Sequence, residues 1–178
     1  GHIAEASEKI ELFLAHHPEA MGLSETAAQL VRLGEMYVKL KAPEQAASAV
    51  QRALELEPTN VKALRMAVAA ADKLEAHERS VEYRGRLAAQ VEAGERFGLL
   101  IDLSRLALEK LSNGQRAIDA LLEAQKLEPA SKDVLKLLYA AYRSVGHNRK
   151  SADTLQALLA HPELIEAERR SETLALAD

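Results

Sequence analysis

The chain has no cysteine and no tryptophan, and only two phenylalanines and four tyrosines among its 178 residues. Lack of cysteine excludes disulfides, thiolate catalysis and cysteine-based zinc sites, and leaves the redox compartment open. Few runs are rich in Val, Ile, Thr or aromatics, so a β-sheet has little support. No apolar run reaches the length of a membrane span, and nothing near the start resembles a signal peptide, so no membrane insertion is expected. Basic excess is missing too. Lys and Arg number 23 against 27 Asp and Glu, for a net charge of −4. That balance argues against a nucleic-acid partner, which usually selects for a basic surface. No glycine-rich phosphate loop is present.

What remains is helical material. Apolar residues make up 48% of the chain, much of it Ala and Leu, and with Glu, Lys, Gln and Arg these are the strong helix formers. A chain of this length buries roughly 70% of its unfolded surface and needs no covalent staple. Length alone allows one domain or two small ones, and a single domain, residues 1–178, is expected. The opening Gly1-His2 fits a cloning scar, so the chain is read as compatible with an excised fragment. Its compartment is therefore unknown, with the cytoplasm as default.

Four apolar stretches stop at a proline, "LAHHPEA", "ALELEPTN", "AQKLEPAS" and "LLAHPEL". Pro18, Pro58, Pro129 and Pro162 stand 40, 71 and 33 residues apart. The middle interval is two units of about 34 plus three extra residues, with Glu92 near the place of the missing proline. Between these marks the apolar period is helical. Leu30, Leu33, Tyr37 and Leu40 share one face, and Ala46, Ala49, Val50, Ala53 and Leu54 share another after the break Lys41-Ala42-Pro43. A short break between amphipathic helices makes an antiparallel hairpin. Further helices are expected over 61–74 and 78–91, 97–111 and 114–127, and 134–145 and 148–160. Half-units over 3–16 and 162–176 flank them. Ser24, Asn60, Asn113, Ser131 and Asn148 are candidate N-caps, and Gly114 and Gly146 mark turns.

The stretch from Leu30 to Pro58 resembles the tetratricopeptide repeat, whose pattern runs large–Leu-Gly–Tyr–Ala–large–Ala–Pro over 34 positions. Leu30, Leu33-Gly34, Tyr37, Ala46, Val50, Ala53 and Pro58 occupy those positions. Leu135, Leu138, Tyr142, Gly146, Ser151, Leu155 and Leu158 carry a weaker copy, with Tyr139 in place of the glycine. In the third unit Ala117, Leu121, Ala124 and Pro129 fit, but Ser104-Arg105 stand where Leu-Gly belongs. Ser80 and Arg84 are off-pattern in the second. The resemblance implies an all-α, right-handed α-solenoid, a superhelix of antiparallel helix hairpins with about ten helices. Its expected parts are an N-terminal half-unit (1–18), repeats over 24–60, 61–94, 97–130 and 131–161, and a capping helix (162–178). Gly34 and Ala46 are expected at a close crossing within one hairpin, with Leu33 and Tyr37 between hairpins.

The resemblance further implies a non-catalytic scaffold that binds a protein or peptide segment in a concave groove. Groove positions transferred from the pattern are Val31, Arg32, Glu35, Val38 and Lys39, then Lys62, Arg65, Met66, Ala69, Asp72 and Lys73. Asp102, Leu103 and Leu106 follow, then Lys136, Leu137, Ala140 and Arg143. The residues expected to carry binding are Arg32, Glu35, Lys39, Lys62, Arg65, Met66, Lys136 and Arg143. Glu35 and Met66 replace the asparagines with which chaperone-binding members clamp a carboxylate, so that clamp is not expected. The basic bias of the set favours an acidic partner segment. The bland alternative is an ordinary solvated face of exposed ion pairs. Two other functions compete: a structural or self-assembling segment of a longer solenoid or homo-oligomer, and, more distantly, an RNA-binding helical repeat.

No enzyme, cofactor or metal is expected. His16-His17 are adjacent and cannot share a helical face as a zinc pair does, and His77, His147 and His161 fall at turns. Glu123 and Glu128, or Glu166 and Glu168, have basic neighbours and no reason to converge in a pocket. The Asn113-Gly114 pair reads as an N-cap and turn between helices. Tyr37, Tyr83, Tyr139 and Tyr142 are read as packing residues rather than base-stacking ones.

Overall fold

The computed structural model describes residues 2–16 and 21–162. His17, Pro18 and the capping helix with its "EAERRSE" run lie outside the described residues, apart from Pro162. Within them the chain forms nine α-helices and no strand. They are α1 (His2–His16), α2 (Leu23–Lys39), α3 (Pro43–Leu56), α4 (Val61–Lys73), α5 (His77–Ala88), α6 (Ala93–Glu109), α7 (Gly114–Leu127), α8 (Lys132–Ser144) and α9 (Asn148–Leu159).

The helices divide between two compact units, Gly1–Leu99 and Leu100–Asp178, the boundary falling inside α6. In the first unit α2 pairs with α3, α4 pairs with α5, α3 packs on α4, and α1 lies against α2. Leu30, Val50, Ala53, Leu64 and Leu87 form its core. Leu64 is wholly buried, which stabilises the fold by roughly 1.5–3 kcal/mol. In the second unit α7 pairs with α8 and α8 with α9, over buried Leu121, Ala124, Val134, Leu138 and Tyr142.

Each hairpin turns through one left-handed residue. Lys41, Glu75, Ser112 and Gly146 have φ of 57°, 51°, 50° and 72° and stand 34, 37 and 34 residues apart. The turn is closed by bonds from the next N–H, as from Ala42 to the Tyr37 carbonyl (2.9 Å) and from Ala76 to that of Ala71 (2.9 Å). This is the Schellman arrangement, which suits glycine because a Cβ strains the left-handed region. Glycine at Lys41, Glu75 or Ser112 is therefore expected to stabilise the protein by about 0.5–1 kcal/mol each, and alanine at Gly146 to destabilise it by a similar amount, read by urea denaturation.

A small buried residue follows at the same period in the second helix of every hairpin: Ala46, Ser80, Ala117 and Ser151, exposed by 1%, 0%, 0% and 9%. Gly34 shows why bulk is excluded. A Cβ there would lie 2.8 Å from Val50 Cγ2 and 2.9 Å from Met66 Cε. The expected close crossing is present.

Several helix ends differ from expectation. Asn60, Asn113 and Ser131 cap α4, α7 and α8, their side-chain oxygens accepting from Ala63, Arg116 and Val134 N–H. Ser24 does not cap. Gly22 holds the N-cap position of α2, and the Ser24 hydroxyl bonds to Glu57 instead, helping Asn60 hold that carboxyl below its ordinary pKa. Asn148 is the first residue of α9, after His147. Helix α5 stops at Ala88, short of the expected Val91, and α6 starts at Ala93 rather than Phe97. Arg96 accounts for both. Its Nε donates to the Ala88 carbonyl (2.8 Å) and its Nη2 to that of Val91 (2.9 Å), satisfying acceptors that a finished helix leaves open. The three extra residues are absorbed by α6, which has 17 residues against 13 in α4 and in α8.

Candidate partner-binding face

In the first unit α2 and α4 lie side by side, and their outward positions carry the basic residues. Lys62 Nζ of α4 stands 2.8 Å from Glu35 Oε1 of α2. Arg65 grips Glu95 of α6 with both guanidinium arms, at 2.8 and 2.9 Å. In the second unit Arg105 of α6 reaches Asp133 of α8 at 3.9 Å. Each pair joins the first helix of one hairpin to the first helix of the next. Side-chain exposure of 61% and 41% for Lys62 and Glu35 keeps that pair weak, worth about 0–1 kcal/mol.

The remaining predicted positions divide. Arg32 and Lys39 are exposed on α2 and Lys73 on α4, with no ion pair among the described residues. Met66 is half-buried and meets Gly34. Lys136 lines an open polar depression of about 610 Å³ with Glu128, Ser131 and Asp133, and Arg143 lies over the Tyr139 ring at 5.7 Å. Val31 and Leu103, transferred to the groove by pattern, are instead core residues, 4% and 5% exposed.

Asp72 also departs from its expected role. Its carboxylate turns to α5, where Arg84 donates to both oxygens (2.9 and 2.8 Å) and the Ser80 hydroxyl donates to Oδ1 (2.5 Å). Arg84 bonds to Ser80 as well. Burial pushes the Asp72 carboxyl up, but the bonds from Arg84 and Ser80 prevail and hold it below its ordinary value. The two off-pattern residues of the second repeat are thus one polar cluster. Ser104-Arg105 resolve similarly: the Ser104 hydroxyl is buried on the Ile101 carbonyl (2.7 Å), and Arg105 points outward to Asp133.

Sequence reasoning missed a cleft at the C-terminal ends of α2 and α4. Its volume is about 450 Å³, and it is lined by Val38, Lys41, Ala42, Pro43, Ala46, Ala69, Ala70 and Lys73. The legible signal was the alanine run Ala69-Ala70-Ala71 facing the Lys41-Ala42-Pro43 turn, because methyl groups leave the space unfilled. Elsewhere in this unit Tyr37 bonds to Glu11 of α1, and burial together with that bond raises its hydroxyl pKa to about 12. Two histidines meet backbone carbonyls, His16 Nδ1 that of Leu12 (2.8 Å) and His161 Nε2 that of Ala130 (2.9 Å). Among the described residues no group of three or more His, Cys, Asp or Glu could hold a metal, and no helix is long and apolar enough to cross a membrane.

Period, turns and hairpin pairing define an all-α helical-repeat protein with a tetratricopeptide-type fold. No protein-family model matches the chain, and no curated protein matches its sequence. Its fold is similar to solved structures of MamA. A crystal structure of MamA protein is 16% identical, with 92% of this chain and 84% of that one covered at a TM-score of 0.55. For MamA AMB-1 the values are 19%, 89%, 81% and 0.58, and for MamA MSR-1 they are 20%, 94%, 90% and 0.55.

Proposed function

We propose that the protein is a non-catalytic interaction scaffold that holds a protein or peptide segment, acidic in character, on the face shared by α2 and α4. The observation carrying this reading is the chemistry of that face. Arg32, Lys39 and Lys73 stand there without an ion pair among the described residues. Lys62 is held only by an exposed pair, which a partner's carboxylates can replace at little loss. The experiment is affinity capture by the intact chain, with mass spectrometry, compared with Lys62→Glu/Arg65→Glu. The reversal sets Glu beside Glu35 and Glu95. Capture is expected to weaken about tenfold while stability falls by no more than about 2 kcal/mol, since the two lost pairs and the like-charge contacts that replace them are exposed. Undiminished capture would defeat the proposal.

A second reading, self-assembly or continuation of a longer solenoid, is favoured by apolar side chains left outside in the first unit. Ile3, Leu12 and Leu23 are 41%, 53% and 70% exposed, and covering them with another repeat or copy would remove apolar surface from water. Light scattering over a concentration series tests it, and a concentration-independent monomer counts against the homo-oligomer.

A further inference from the structure

We propose that the cleft between the α2–α3 turn and α4 is an anchor pocket for an aliphatic side chain flanked by carboxylates in an acidic protein segment; this deepens, and rests on, the scaffold reading above. The cleft belongs to the first unit alone. Its walls are Val38, Ala42, Pro43, Ala46, Ala69 and Ala70, which present methyl, methylene and isopropyl groups. A volume of about 450 Å³ falls within the roughly 300–1,000 Å³ typical of sites that enclose a ligand.

The walls are preformed. Ala46 and Ala70 are 1% and 5% exposed and belong to the hairpin core. The turn is locked by the left-handed Lys41 and by the bond from Ala42 N–H to the Tyr37 carbonyl. Pro43 fixes the first turn of α3. An occupant therefore meets a shaped surface and orders little of it on binding.

Charge selects the occupant. The two titratable groups in the lining, Lys41 and Lys73, are both cationic and exposed, and neither has an ion pair among the described residues. Elsewhere on the same helices Lys62 and Arg65 already have acidic neighbours. Two uncompensated ammonium groups at the rim of an apolar cleft are complementary to carboxylates on either side of an apolar side chain. Their bonds to carboxylate oxygen would be charge-assisted.

The test uses the intact chain, ¹⁵N-labelled, titrated with the blocked tripeptide acetyl-Glu-Leu-Glu-amide. Acetyl-Gln-Leu-Gln-amide removes the charge and acetyl-Glu-Ala-Glu-amide removes the anchor. Saturable shifts are expected at the amides of Val38, Ala42, Ala46, Ala69 and Ala70. Each comparator should bind about fivefold more weakly or worse, the scale of an exposed ion pair for the Gln peptide and of a few buried methyl and methylene groups for the Ala peptide. Ala69→Phe, a change at an exposed position that fills the cleft, should abolish binding. Lys41→Gln/Lys73→Gln should erase the preference for Glu over Gln. Absence of saturable shifts at these amides overturns the inference, as does an equal response to all three peptides. Shifts that depend on protein concentration without peptide overturn it too, because a second copy would then be the occupant. Failure of the tripeptide alongside capture that still depends on Lys62 and Arg65 removes the pocket and leaves the scaffold reading intact.

Discussion

Valine at Gly114 is expected to destabilise the second unit by about 3 kcal/mol, at the upper end of what overpacking costs. Gly114 is the first residue of α7 and is buried against α8. A Cβ built there falls 2.1 Å from Ser144 Oγ, 2.7 Å from Val145 Cγ1 and 3.3 Å from the Ala141 carbonyl oxygen. Real Cβ atoms do not approach so closely, so the Ser144 and Val145 side chains, or the end of α8 that carries them, must shift. Alanine should cost less, about 1–2 kcal/mol, since the Ser144 hydroxyl can rotate aside while Val145 still obstructs. Ser144→Gly should recover part of the loss in Gly114→Ala. Urea denaturation of the four proteins closes a double-mutant cycle, and coupling below about 0.3 kcal/mol would show that the two positions do not compete for the same space.

Asp72→Ala is expected to cost about 2 kcal/mol, discounted for the partial exposure of the carboxylate from the larger losses seen in fully buried pairs. The loss comes from what is left behind. The Arg84 side chain is 14% exposed and Ser80 is wholly buried, and Asp72 is a partner to both. Asp72→Asn keeps hydrogen-bonding capacity, loses the charge, and should cost about half as much. The pH dependence has a definite sign. Asp72 is held below its ordinary pKa in the folded protein, so in acid the unfolded chain takes up its proton first. Its stabilisation is complete above the ordinary carboxylate range and is lost as pH falls through the depressed folded value. Unfolding free energy measured from pH 7 downward should therefore fall less steeply in Asp72→Ala than in the parent. Parallel curves would show that the pair with Arg84 contributes nothing to the slope.

Both predictions concern residues whose sequence reading was incomplete, each for its own reason. Gly114 after Asn113 reads as a turn, and the turn is there, with Asn113 capping α7. That the same glycine faces Ser144 and Val145 is invisible along the chain, because the contact bridges about thirty residues. Ser80 and Arg84 look like flaws in a repeat pattern until α4 delivers Asp72 to them. Arg84 stands one repeat after Val50, a core position, and a cation is tolerable there only because a carboxylate arrives from the neighbouring helix.

The binding face divides along the same line. Which helices expose Arg32, Lys39, Lys62 and Arg65 follows from a 3.6-residue period, because apolar positions turn inward and charged ones outward. Which of these charges are already matched does not. Glu35 and Glu95 come from other helices and neutralise two of the four, so a count of basic residues overstates the charge left for a partner.

By itself the sequence determined that the chain is helical, where the hairpins turn and that Gly34 and Ala46 must stay small. Those properties depend on local propensity and on a repeat of about 34 residues, both legible one stretch at a time. Only the tertiary structure decided that Asp72 serves α5, that Val31 and Leu103 are core, and that alanines opposite a locked turn leave a cleft rimmed by Lys41 and Lys73. Those outcomes depend on how neighbouring helices rotate and on which side chains meet across the gap, and such contacts form between residues far apart along the chain.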